Sequence, residues 1–394
     1  MKKAIPYLVC FAGVFTLLIF FFPKTLMLQE SFALYLNTPD WRRDTFAGPW
    51  PLFHFAANWL LQFFHYVWGG PLILALLVSS VMVLLSIPFH CKKRQIFCWC
   101  FAGSVLLFGA CLLNTKRVRA REIHSSVELA MLNYRWKEIL KVATPEAVKR
   151  NRDLLPYALL ALTETGQLSS QMFNYPIESD DDFFPKSWYS CSQLMFGSML
   201  YERMGSVNEA IHLITQAGNA LPYGTSFGIL RRLATLYRLQ GNDTLADKYL
   251  YILGKSTLHA PHPQGAHPMK EFPLPLSSEN EIADCESTSG NITYAVEPDI
   301  LRSSQALVVH DEWFFNVTAM LSAGVQSPTL IDRSLCALLA RRELERFVQM
   351  WNILPHAEGN AIPAHYREAL LLADPATRDK ASGPYTHYYQ KGKH

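Results

Sequence analysis

Three apolar runs, each close to the length of a lipid-crossing helix, lie before Asn114 and constrain this chain more than any other feature. The first, residues 4–22, follows Lys2 and Lys3 and is closed by Pro23 and Lys24. At a rise of about 1.5 Å per residue, such a run approaches the roughly 30 Å of a bilayer's hydrocarbon core. A signal peptide also opens with lysines and an apolar stretch, but no small-x-small cleavage site follows here, so the run reads as a retained anchor. Residues 71–89 form a second run, ended by Lys92, Lys93 and Arg94. Residues 96–113 form a third, ended by Lys116, Arg117, Arg119 and Arg121.

Between the first two runs, residues 50–68 are apolar but carry His54, Asn58, Gln62 and His65, together with Trp50, Trp59, Tyr66 and Trp68. The four polar residues recur at spacings of three or four, which makes one stripe on a helix. The segment is read as an interfacial amphipathic helix with an aromatic belt, because Gly69, Gly70 and Pro71 break it and leave little chain for a turn. The alternative is a fourth span whose stripe faces a bundle or a ligand. Residues 1–115 are therefore expected to be a multi-pass domain of a bacterial inner membrane. The basic groups near the N-terminus and at 92–94 favour an N-inside chain, with the soluble domain extracytoplasmic.

The pattern changes after Arg121 to paired amphipathic helices separated by turn residues. Tyr201, Gly205, Val207, Ala210, Ile214, Ala217 and Pro222 fall at the offsets of a tetratricopeptide (TPR) unit: a bulky residue, a turn glycine four on, and a small residue five later where helices cross closely. Tyr237, Gly241 and Ala246 repeat the scheme 36 positions on. Two looser pairs precede them, one around Gly166 and one around Tyr134. A single pair cannot hide its apolar face, so such units bury a shared core by stacking. The expected fold class is all-α: transmembrane helices followed by a TPR-like α-solenoid. Repeats should occupy 116–258, a Pro/Ser-rich linker 259–300, further helical repeats 301–374 and a polar, frayed tail 375–394.

Chemistry is sparse. The net charge of +3, with no long basic stripe, excludes a nucleic-acid footprint. The eight cysteines show neither a disulfide framework nor zinc spacing. His259, His262 and His267 sit among prolines without a neighbouring cysteine or carboxylate, so they read as solvated linker. Asp180, Asp181 and Asp182 read as a solvated acidic run, and His310, Asp311 and Glu312 as residues that cap or solvate a helix end. Nucleophile-elbow, phosphate-loop, zinc-protease and dinucleotide signatures are missing from the sequence. No catalytic, cofactor or metal residue is assigned, and no small molecule is identified as a partner.

Several strings are distinctive even without chemistry: Gln62 to Tyr66 with Trp68 to Leu74, Leu160 to Leu168 with Met172 to Pro176, Ala246 to Leu250, and Pro363 to Leu370. In these the chain resembles an uncharacterised family of Bacteroidota membrane proteins, a domain of unknown function, many of whose members carry more spans. The resemblance covers most of the chain apart from the third span and the linker. It implies a membrane protein with a TPR-like C-terminal region and implies no reaction.

The expected function is a membrane-anchored scaffold that binds other envelope proteins through its repeats, with the lipid bilayer as its other partner. The alternative is an accessory or degenerate member of a membrane transporter or of a glycan- or lipid-handling transferase, with the stripe His54, Asn58, Gln62 and His65 lining a cleft.

Overall fold

A computed structural model describes residues 4–89, 91–185, 188–258, 313–322, 327–354 and 362–391. Among these there is helix and no strand. His259, His262, His267, the 259–300 linker and His310, Asp311 and Glu312 lie outside the described residues. Two compact units are present. One comprises residues 4–129 with Thr225–Arg231 and 250–258; the other comprises 130–224, Arg232–Tyr249 and the described residues from 313 onward.

The first unit is built on α1 (Ile5–Phe21), α5 (Gly69–Ser86) and α6 (Cys91–Leu113). Two helical stretches, Gly69–Ser86 and Lys93–Leu113, are long and apolar enough to cross a membrane. A third span is counted if α1 and α2 (Pro23–Phe32), bent by 82° at their junction, are one broken span. Tyr7 meets Ser86 and Cys98, whereas Gly13 faces Leu106 and Gly109 faces Leu17. Thus α1 and α6 run in the same direction and α5 opposes them. A Cβ on Gly13 would come within 2.5 Å of the Leu106 side chain, so the small residue sets how closely α1 and α6 approach. Cys10, Val14, Ala75, Met82, Cys98 and Ala102 form the shared core, while Leu8, Phe20, Leu76, Leu84, Leu107 and Phe108 point outward. Apolar residues both inside and outside a bundle are what a lipid-embedded helix group requires.

The corner between α1 and α2 has an identifiable cause. Phe22 precedes α2 and has no side chain that can cap it, and Pro23 has no amide N–H. The next two amides, of Lys24 and Thr25, donate to the Glu122 carboxylate at 2.7 and 2.9 Å, and the Thr25 hydroxyl adds a bond of 2.8 Å. A carboxylate at a helix N-terminus is favourable both as an acceptor and against the helix dipole. Glu122 belongs to α7 (Lys116–Leu132), so the start of α7 is held against the start of α2. The far end of α2 is fixed in turn: buried Glu30 makes a two-pronged ion pair with Arg231, at 2.9 and 2.7 Å. Beyond it, α3 (Pro39–Ala47) starts on the Thr38 hydroxyl, which accepts from the Trp41 amide. The unit thus includes the first residues of α14 (Phe227–Leu239), whose Phe227 amide donates to the Ala33 carbonyl at 2.9 Å.

Beyond α7 the chain advances by helical hairpins: α8 (Trp136–Val142) followed by the short α9 (Pro145–Arg150), α10 (Leu155–Glu164) with α11 (Leu168–Gln171), α12 (Cys191–Arg203) with α13 (Val207–Asn219), α14 with α15 (Asp243–Leu253), and, after α16 (Trp313–Ser322), α17 (Pro328–Ala340) with α18 (Leu344–Ile353). Five turns share one hydrogen-bond pattern. Tyr134, Gly166, Gly205, Gly241 and Arg342 all have positive φ. At each, the amide of this residue bonds the carbonyl three back and the next amide bonds the carbonyl five before itself, at 2.8–3.1 Å. This double closure satisfies the last carbonyls of the first helix and aims the second helix back along it. Among these five turns the small residue five past the turn occurs only as Ala210 and Ala246, both fully buried; Ile139, Gln171 and Phe347 hold the same place in the others.

Within the second unit the hairpins do not follow one another as a simple linear stack. The chain returns after α16 so that α17 packs on α10 and α11, and α19 (Ala364–Ala373) also packs on α11. The residues read as a frayed polar tail contain α20 (Pro384–Lys391). Its start is held by Glu368, which accepts from the Thr386 amide at 3.0 Å, while Tyr385 is fully buried and the Tyr388 hydroxyl donates to the Ala340 carbonyl at 2.8 Å.

Gly241 isolates the cost of the turn geometry, because a Cβ there meets nothing within 4 Å. Gly241→Ala is expected to lower stability by about 1 kcal/mol through backbone strain alone. The check is the shift in denaturant midpoint of the detergent-purified full chain.

Candidate functional site

The predicted polar stripe is divided by a change of helix type. α4 (Pro51–Leu61) stops at Leu61, and a 3-10 turn, Gln62–His65, follows, so the 3.6-residue period ends within the stripe. His54 and His65 are exposed. The Asn58 side-chain amide donates to the His54 carbonyl at 2.9 Å. Gln62 is fully buried: its amide nitrogen donates to the Trp59 carbonyl at 3.2 Å, and its oxygen accepts from the Thr257 amide at 3.1 Å. The buried member therefore holds backbone in place.

The structure brings together a polar group at one end of the three long helices that the sequence reading did not single out. Arg94 Nε donates to the Tyr7 hydroxyl at 3.2 Å and to Ser86 Oγ at 3.1 Å; Tyr7 and Ser86 are 3.0 Å apart, and Cys98 Sγ donates to Tyr7 at 3.3 Å. Charge inside an apolar bundle is costly and is normally partnered. Here two hydroxyls and the bundle end carry it. Ser86 in the last turn of one apolar helix and Arg94 in the first turn of the next were the available sequence signal; Tyr7 gave none.

In the second unit the repeat residues occupy structural places. Ala210 and Ala246 are buried where helices meet, and Tyr237 stacks on Tyr249 with ring centroids 5.5 Å apart. Burial, and then the charge of Glu209, push the Tyr201 hydroxyl up to about 12. Beside Tyr201 lies a buried ionic chain. Glu202 pairs with Arg232 and accepts from the Tyr134 hydroxyl at 3.1 Å, while Arg232 also donates to Tyr134 at 2.8 Å and to the Ser198 carbonyl at 2.9 Å. Arg203 pairs with Glu164 at 2.6 Å, and Thr329 donates to the same carboxylate at 2.7 Å. Burial by itself would lower the Arg232 and Arg203 guanidinium pKa values, but the paired carboxylates outweigh it and hold both raised.

Two members of the acidic run, Asp180 and Asp182, are structural rather than solvated, while Asp181 is exposed. Asp180 accepts from Trp313 Nε1 at 2.6 Å and pairs with Arg341 at 3.5 Å. Asp182 pairs with Arg152 at 2.7 Å and accepts from the amides of Glu178 and Ser179, closing a capping box. The physical reason is that the run begins a 3-10 turn whose free amides need acceptors. Among the described residues no group of three or more His, Cys, Asp or Glu is placed to hold a metal ion.

With this geometry in hand, the chain matches a protein family described as a family of unknown function, DUF6057, over residues 1–120 and 90–393. The chain belongs to the DUF6057 family. No curated protein and no solved structure matches it.

In this DUF6057 protein the buried titratable cluster with the clearest electrostatic consequence centres on Asp332. Tyr366 donates to its carboxylate, Ser169 bonds it, and Cys336 Sγ lies 3.4 Å from the Tyr366 hydroxyl. Burial raises Asp332 from its ordinary 3.8 to about 6, against the opposing effect of the two hydroxyls. Neighbouring Arg333 is fully buried, and burial lowers it to about 9. It donates twice to the Phe183 carbonyl, at 2.9 and 2.6 Å. These groups join α17, α11 and α19 to the 174–185 loop, and their chemistry is that of an interior polar joint.

The Asp332 pKa is raised in the folded state, so its stabilising contribution is complete below about pH 4 and is lost as pH rises through about 6. Asp332→Asn is expected to remove this slope, which amounts to at most about 3 kcal/mol. Denaturant midpoints of the wild-type and variant full chains from pH 4.5 to 7.5 provide the check, and parallel curves would refute the assignment.

Proposed function

We propose that this DUF6057 protein is a bacterial inner-membrane scaffold, in which apolar helices anchor TPR-like helical hairpins that bind other envelope proteins. The observation that carries the reading is the recurrence of one turn geometry at Tyr134, Gly166, Gly205, Gly241 and Arg342. Repeated helix pairs with a common turn provide a large, regular side-chain surface of the kind used for protein recognition. The use of the buried ionic groups in joining helices supports the same reading, since those charges hold the hairpins to one another. The transferase or transporter alternative draws less support, because Gln62, the buried member of its proposed cleft, is engaged by backbone.

Partners recovered from detergent with the full chain are expected to be lost when the chain is ended at Asn114. Recovery of the same proteins by both forms would end the scaffold reading. For sidedness, Tyr7, Ser86 and Arg94 lie at one end of the bundle, so the start of α1, the end of α5 and the start of α6 share a side. Their basic residues support an N-inside chain with an extracytoplasmic C-terminal domain. A C-terminal alkaline phosphatase fusion should then be active and a green fluorescent protein fusion dark; the opposite pair of results reverses the orientation.

A further inference from the structure

The end of the first unit opposite Arg94 carries two features that the scaffold reading does not use. The first is an apolar ridge. α4 presents Leu52, Phe53, Ala56 and Trp59 outward on one helical face, with Phe53 68% exposed, and Trp50 just before it is 78% exposed. Phe55 turns the other way, against Tyr35 and Trp41. At 11 residues, about 16 Å long, α4 is too short to cross a bilayer. An exposed aromatic face of this kind suits the headgroup boundary. Trp68, stacked on Tyr66, is also exposed and leads directly into α5.

The second feature is charge. Lys116, Arg117, Arg119 and Arg121 are all exposed and begin three residues after α6 ends at Leu113. The nearby carboxylate, Glu122, is already bonded to Lys24 and Thr25. Both features flank α2: Glu122 ties the basic turn to its first residues, and Gly70 sits against Leu26 and Phe64, where a Cβ would be 3.1 and 3.2 Å away. Aromatic side chains and cations therefore lie at the same end of the apolar bundle, continuous with its lipid-length helices.

We propose that this end is a collar for anionic phospholipid, with α4 seated in the headgroup boundary and the 116–121 cations holding lipid phosphates. Charge complementarity identifies the lipid class, because cations beside a membrane-crossing helix concentrate anionic headgroups, and an uncharged boundary would not require four of them.

The test reconstitutes the full chain into phosphatidylcholine vesicles containing a minor fraction of either brominated phosphatidylglycerol or brominated phosphatidylcholine, and reads tryptophan quenching. Quenching by the anionic lipid should exceed that by the zwitterionic one by about three-fold or more at equal fraction, and should weaken as salt is raised. Trp99 on α6 is also exposed and near lipid, so the signal of Trp50, Trp59 and Trp68 is read as wild-type quenching minus that of a W50F/W59F/W68F variant, and the lipid difference should reside in that signal. The difference should vanish when Lys116, Arg117, Arg119 and Arg121 are all changed to Gln, and should persist in K92Q/K93Q, which alters the other end. If the Gln variant fails to insert, Arg117→Lys, Arg119→Lys and Arg121→Lys together should keep the selectivity, which leaves salt dependence as the deciding measurement. Equal quenching by the two lipids, or selectivity indifferent to both salt and the Gln changes, overturns the proposal. So does absence of quenching of these three tryptophans by either lipid, which would mean that protein covers the ridge.

Discussion

A helix that turns back on itself leaves four carbonyls without partners, and among the described residues this chain answers that problem the same way at five places. The rest of the helical architecture depends on the answer. Once the reversal is fixed by two amides, the second helix has one direction in which to run and its apolar face has one neighbour to meet. The residue at the turn must accept positive φ, which glycine does without strain. Tyr134 and Arg342 do it without being glycine, at a cost of about 1 kcal/mol each. Both side chains are engaged elsewhere: Tyr134 in the bonds to Glu202 and Arg232, Arg342 over the Tyr388 ring and on its carbonyl.

This difference shows how much of the structure can be read from residues in order. Gly205 and Gly241, each with an alanine five later, announce their hairpins because the requirement is local: a left-handed turn and a close crossing. The turns at Tyr134 and Arg342 lack that signal, and their pairs were read only from apolar spacing. The second and third apolar runs were equally legible, since length and composition are properties of contiguous sequence, whereas the first, 4–22, ends in an 82° corner and counts as a span only together with α2. The stripe from His54 to His65 assumed one helical period, and the 3-10 turn at Gln62 broke the assumption.

What sequence order could not reveal is pairing at a distance. Glu30 and Arg231, Glu122 and the α2 amides, and Glu202 and Arg232 are widely separated in the chain, and each looks like an ordinary surface residue until its partner is known. Asp180 and Asp182 were misread for the same reason, because Trp313 and Arg152 supply their partners. Buried pairs of this kind gain little net stability over apolar packing, yet removing one partner leaves an uncompensated charge, so they select one arrangement of helices over others.

The carboxylate of Glu122 has a consequence in time. Synthesis proceeds from the N-terminus, and α1 and α2 leave the ribosome while residue 122 is still untranslated. During that interval the Lys24 and Thr25 amides lack the Glu122 acceptor that they have in the folded chain. Glu122 can reach them only once the first turns of α7 have followed α6 out of the tunnel, so the elbow after Phe22 is completed by a residue made after all three long apolar helices.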